Sequence, residues 1–143
     1  MAAINWKRVY LGTFVGGIVW SAWSMFVNVV LIGPHYADEQ KVGALLAEPR
    51  YTVAGFLGFW FLTLFILTSI LAWMYAGMRN TLGPGPRTAL MLGINAGFAI
   101  AFPLSWSVVN WVPVNRIVPL WWVVDLWVGA ILATLVAGWL YKD

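Results

Sequence analysis

The sequence predicts an all-α membrane protein, a four-transmembrane-helix bundle, and three observations carry that expectation. Hydrophobic residues make up 62% of the 143 residues and charged ones only 9%, whereas a water-soluble domain of this size needs a larger polar share to cover its surface. Residues 9–32, 52–78, 88–112 and 117–141 form four apolar runs, interrupted by one charge, Asp125 in the last. Each is longer than the roughly 20 helical residues that cross a hydrocarbon core of about 30 Å. None shows the short apolar–polar alternation of a membrane barrel. No linker divides the chain, so residues 1–143 read as a single integral membrane domain.

The first run carries Gly12, Gly16, Trp20, Ser24 and Asn28 at spacing four. The loop that follows, residues 33–51, predicts a short surface helix over Asp38–Ala47. Val42, Leu45 and Leu46 would face lipid or the bundle, and Asp38, Glu39 and Lys41 would face water. After the second run comes RNTLGPGPRTA, residues 79–89. Its two Gly-Pro pairs cannot continue a helix, because proline lacks the amide donor and glycine relaxes the backbone; a tight helical hairpin is expected. The third run carries Ala89, Gly93, Gly97, Ala101 and Ser105 at spacing four, and the fourth carries Asp125, Gly129, Ala133 and Ala137. Helices in lipid associate by close packing, so small residues mark their contact faces. Gly12, Gly16, Gly93, Gly97, Gly129 and Ala133 are the expected packing positions.

Asp125 is the candidate functional residue. An ionised Asp deep in a bilayer costs on the order of 3 kcal/mol on insertion scales, so it should face the bundle interior. At 1.5 Å per residue, Ser105 and Asp125 both lie roughly 11–12 Å below the same end of their spans. Ser105 is therefore the first expected partner, followed by Ser107, Asn110 and the Trp106 indole. With Asn28 these residues make an expected intramembrane polar cluster. Its chemistry is either a proton- or cation-linked site or a structural inter-helix hydrogen bond.

Most of the 11 tryptophans fall near the ends of the runs, where amphipathic rings prefer to sit. Trp20, Trp23, Trp60 and Trp106 lie deeper, and Trp20, Trp60 and Trp106 are weak cofactor-binding candidates. Bulk packing accounts for them, and a wall for a flat or lipidic ligand is the sharper reading. His35, at the mouth of the first loop, joins them as a weak cofactor-binding candidate, but no cofactor is expected. The chain has no cysteine and one histidine, which leaves no thiolate chemistry and little scope for a metal site. One acid without a nucleophile–base pair also argues against an enzyme. The net charge of +3 is scattered, unlike the concentrated basic face of a nucleic-acid binder.

Lys7, Arg8, Arg79, Arg87 and Lys142 fall on one side of the four spans, and Lys41, Arg50 and Arg116 on the other. Cytoplasmic loops carry the excess of basic residues, so both termini are expected in the cytoplasm.

The stretch from Trp73 to Ala89, WMYAGMRNTLGPGPRTA, with Asn5-Trp6-Lys7-Arg8 near the start, resembles a group of small bacterial four-helix membrane proteins that carry a GPGP[KR]TA hairpin between the second and third spans. The resemblance implies a bacterial inner-membrane protein and no particular activity. The expected function is that of a non-catalytic accessory or scaffold subunit of a larger membrane complex, bioenergetic or photosynthetic among them. The alternative is a small proton- or cation-linked transporter or channel that uses Asp125, as a dimer. The expected partners are the lipid bilayer and other membrane subunits. Contact with a lipid, quinone or pigment stays open.

Overall fold

The computed structural model describes residues 4–141, and among these there are helices and no strands. Lys142, counted above in the charge balance, lies outside the described residues. Helix α1 (Trp6–Phe26) runs into one π-helical turn (Val27–Leu31), then come α2 (Gly33–Lys41), α3 (Val53–Leu82), α4 (Pro86–Trp111) and α5 (Ile117–Leu140). Four helices are long and apolar enough to cross a membrane: α1 with its π turn, α3, α4 and α5. These match the four predicted runs to within a few residues at each end.

Local chemistry sets the boundaries. Asn5 caps α1 by accepting the Arg8 N–H at 3.3 Å, and Thr52 caps α3 by accepting the Gly55 N–H at 3.1 Å; each satisfies a donor that the first turn leaves free. The surface helix occupies Gly33–Lys41 rather than the expected Asp38–Ala47. The π turn delivers the chain directly into it, and Pro34 sits in its first turn, where a missing N–H costs nothing. Gly43, at φ 75°, stands just beyond its end.

The GPGP segment forms the expected hairpin. Gly83 and Gly85 adopt φ of 88° and 121°, a region open to glycine and strained for other residues. Pro86 opens α4. The buried Tyr75 hydroxyl accepts the Gly85 N–H at 3.0 Å, and Thr88 Oγ1 donates to the Gly83 carbonyl at 2.7 Å. Tyr75→Phe should therefore lower the thermal midpoint of the detergent-solubilised protein, at a cost of about 1 kcal/mol. Size exclusion after stepwise heating reads the shift; an unchanged midpoint would show that the hairpin holds without this bond.

Helix α5 is the hub, packing on α4 most extensively, then on α1 and α3, while no Cα of α1 lies within 8 Å of one in α4. Small residues set these approaches. A β-carbon on Gly12 would stand 3.1 Å from Ala137 Cα, and one on Gly16 would stand 3.0 Å from the Ala133 carbonyl oxygen. Gly93 meets the Ile131 backbone at 2.8 Å by the same measure, and Gly97 meets Trp127 and Ala130 at 2.8 and 3.0 Å. Gly129 receives the indole of Trp20, which is completely buried. The two described ends of the chain meet where the Asn5 N–H donates to the Tyr141 hydroxyl at 2.8 Å, and the Arg79 guanidinium lies 4.7 Å from the Tyr141 ring centre.

The packing is uneven along the bundle axis. Every buried residue of α3 falls between Leu64 and Ala76, towards the chain termini. From Val53 to Thr63 no residue of this helix is fully buried, and Trp60 and Phe61 pack only partly buried against the core. At the α2 end, a small second core of Val27, Ile32, Val114 and Val118 forms instead beneath α2 and the α4–α5 connection. The Asn115 N–H donates to Glu39 Oε2 at 3.2 Å and ties those two segments together.

Candidate functional site

The poorly packed stretch of α3 leaves a lateral cleft of about 310 Å³ at the α2 end, with Asp125 on its wall. Asp125 itself is 1% exposed. Ser24 Oγ donates to its Oδ2 at 2.9 Å and Asn28 Nδ2 donates to the same oxygen at 2.7 Å. The Trp23 indole N–H donates to its backbone carbonyl at 3.1 Å. Three residues of the first span are thus fixed to one residue of the last.

Each first partner is itself held by a donor. The Trp60 indole N–H donates to Ser24 Oγ at 2.9 Å. The Tyr36 hydroxyl donates to Asn28 Oδ1 at 2.8 Å, and the Trp122 indole N–H donates to that hydroxyl at 2.6 Å. Two hydrogen-bonded chains therefore converge on the carboxylate: Trp60 through Ser24, and Trp122 through Tyr36 and Asn28. Every donor in both chains points towards Oδ2. Such an arrangement stabilises negative charge at its end, because each bond polarises the next. Burial pushes the Tyr36 phenol above its ordinary value, and nearby Asp125 acts in the same direction against the Trp122 hydrogen bond. The phenol accordingly stays protonated, and remains a donor, through neutral pH.

The π turn makes this geometry. Asn28 lies within it and also donates to the Ser24 carbonyl at 2.9 Å. The wider helical turn carries the chain from Asn28 round to α2, whose Tyr36 comes back over the Asn28 side chain. Turns of this type recur at functional sites.

The expected residues separate clearly. Asn28 and Trp60 belong to the network around Asp125. Ser105 is buried and lines the same cleft from α4, without bonding to the carboxylate. Ser107 and Asn110 lie on the exposed side of α4, away from the cleft, and donate to carbonyls of their own helix, Pro103 at 3.0 Å and Trp106 at 2.8 Å. A side chain satisfied four residues back needs no partner across the bundle. Trp106 is 59% exposed and stacks on Phe102 at 6.0 Å. Trp20 fills the core against Gly129 and does not line the cleft. His35 is half-buried in α2 and likewise lies outside the cleft lining.

Ser24, Tyr36 and Trp122 are the participants that sequence reading overlooked. Ser24 stood in the first span's seam as a small residue, Trp122 fell among the tryptophans near the ends of the runs, and Tyr36 lies in the first loop. The available signal was the Ser24–Asn28 pair, two polar side chains one turn apart on the face of a span that must contact another helix.

The cleft offers a buried carboxylate with one oxygen uncommitted. Oδ2 takes two donors, while Oδ1 is buried and has no hydrogen-bond partner. No Lys, Arg or His among the described residues pairs with it. Such a group can accept a hydrogen bond or balance a positive charge brought into the cleft. Comparison with protein-family models, with curated proteins and with solved structures finds no match to this chain.

Proposed function

We propose that this chain is a non-catalytic, multi-pass protein of the bacterial inner membrane that serves as an accessory or scaffold subunit, packing sideways against other membrane proteins. The observation that carries this reading is α3 between Val53 and Thr63, which has no fully buried residue and displays Phe59 and Leu62 on its outer face. A helix in lipid gains stability only from close neighbours, and this stretch has its neighbours still to find. The cleft lining has no His, Lys, Arg or Cys, and its one hydroxyl beside the carboxylate, Ser24 Oγ at 2.9 Å from Asp125 Oδ2, is held in place by the Trp60 indole; this supports the non-catalytic reading. Native mass after gentle solubilisation tests the assignment. The expected result is an assembly well above the 15.9 kDa chain; recovery only as a lone monomer overturns it.

Both termini face the cytoplasm in this proposal, on the charge balance of the loops. The chain has no cysteine, so single introduced thiols report cleanly. Glu48→Cys should react with a membrane-impermeant maleimide on intact cells, and Lys7→Cys only after lysis. The reverse pattern would invert the topology.

A second reading is a small proton- or cation-linked transporter or channel working as a dimer, and the uncommitted Oδ1 of Asp125 favours it. In proteoliposomes its flux should fall sharply in Asp125→Asn; unchanged flux removes Asp125 from the mechanism.

A further inference from the structure

We propose that the cleft beside Asp125 binds a lipophilic ammonium, a protonated or quaternary amine on an apolar body, that enters sideways from the bilayer and sets its positive charge beside the Asp125 carboxylate. The inference is independent of subunit association, since a lone chain could bind such a molecule and an assembled one could fail to.

Four observations lead there. The first is the buried Asp125 carboxyl group, in a residue that lines a cavity of about 310 Å³, with one oxygen that has no donor. The second is the direction of the network. Donors converge on Oδ2 through Ser24 and Asn28 and offset part of the cost of an anion there, yet no cationic side chain among the described residues balances it. An unbalanced buried charge is costly, and a ligand that brings the opposite charge recovers that cost.

The third is the chemistry of the remaining walls. Tyr36, Phe56, Trp60 and Trp122 line the cleft, with Leu57 and Leu126 between them. Aromatic rings attract an ammonium and suit its weakly hydrated apolar substituents. A bare calcium ion fits these walls poorly: it takes roughly 6–8 oxygen ligands, and the Ser24, Asn28, Tyr36 and Asp125 Oδ2 oxygens are already engaged with one another. A quinone or neutral lipid would leave the carboxylate without its counter-charge.

The fourth is the route. Met25, Phe56 and Leu104 line the cleft and are all exposed, and no α3 residue alongside is fully buried. The mouth therefore lies on the apolar flank of the bundle and faces acyl chains. The volume is at the small end for ligand pockets, so it holds the charged head and its nearest groups while a longer tail trails past Phe56 and Leu104.

The test is equilibrium binding of radiolabelled N-benzyl-N,N-dimethyloctylammonium to the full chain in dodecyl maltoside, a detergent without an ammonium group. Saturable one-to-one binding is expected. Asp125→Asn keeps an acceptor for Ser24 and Asn28 but removes the charge, and should weaken binding by roughly tenfold or more. Leu57→Trp fills the cleft with the carboxylate left in place and should weaken binding comparably; it decides the matter if Asp125→Asn fails to fold. The uncharged isostere N-benzyl-N-octylacetamide and decylubiquinone should compete poorly. Absence of saturable ammonium binding, undiminished binding in both folded variants, or equal competition by either neutral compound would overturn the proposal.

Discussion

Gly129→Leu should yield no folded bundle, whereas Gly58→Leu should melt at or above the wild-type temperature. The contrast arises from what each glycine faces. At Gly129 the Trp20 indole occupies the position a side chain would take, and that indole is buried on every side. It has no room to retreat, because Leu64, Ala130 and Ala133 share the same core. Overpacking an ordinary core costs about 1–3 kcal/mol, and here a whole leucine would have to displace the largest buried side chain at the α1–α5 crossing. At Gly58 nothing stands within 4 Å and the position is exposed, so the substitution gains helix propensity of up to roughly 0.8 kcal/mol. The surviving monodisperse fraction after heating distinguishes the two. If Gly129→Leu melted like wild type, the Trp20–Gly129 contact could not be what sets the distance between α1 and α5. Gly93→Leu and Gly97→Leu, which meet the α5 backbone and Trp127, should fall between these extremes.

The spans were legible because the bilayer imposes a length and excludes charge, and 143 residues with one intramembrane acid satisfy that rule in one way. The seam positions were legible for a related reason: Gly12, Gly16, Gly93, Gly97 and Gly129 sit where backbones or large rings come close, and only small residues permit that. The site was legible in depth but not in direction. Rise per residue places Ser105 and Asp125 at one level, and both do line the cleft. The azimuth of Asp125 depends on which neighbour α5 turns it towards, and α5 has close neighbours on both sides, α1 and α4. The Trp23 bond to the Asp125 carbonyl and the Ser24 and Asn28 bonds to its side chain resolve this in favour of α1. Tyr36 was out of reach of any periodicity argument, because the π turn at Val27–Leu31 changes the helical phase just before it. Ser107 and Asn110 show the converse limit: a polar residue in a span need not reach across the bundle when a carbonyl four residues back will serve.

Asp125→Ala should destabilise the bundle by about 2–3 kcal/mol, and Asp125→Asn by less than about 1 kcal/mol. Alanine removes the acceptor for Ser24 O–H and Asn28 N–H at once and leaves a void in a site that is 1% exposed. Asparagine still presents an oxygen to both donors and fills the same volume. Hydrogen bonds between helices in a membrane average about 0.6 kcal/mol and reach about 1.7 kcal/mol; the upper part of that range applies here because both end on one carboxylate oxygen. The Ser24–Asp125 pair should also couple. Ser24→Ala deprives the Trp60 N–H of its acceptor as well as the carboxylate of a donor, so the double variant Ser24→Ala/Asp125→Ala should cost less than the sum of its parts by at least about 0.5 kcal/mol. Additive losses would mean that the two side chains are neighbours without an energetic bond. If Asp125→Ala matched wild type in thermal midpoint, the network would not be what holds α1 against α5. The ordering of the two Asp125 variants also separates fold from chemistry: a protein that keeps its midpoint with asparagine at this position but loses a measured activity has lost a charge and kept its bundle.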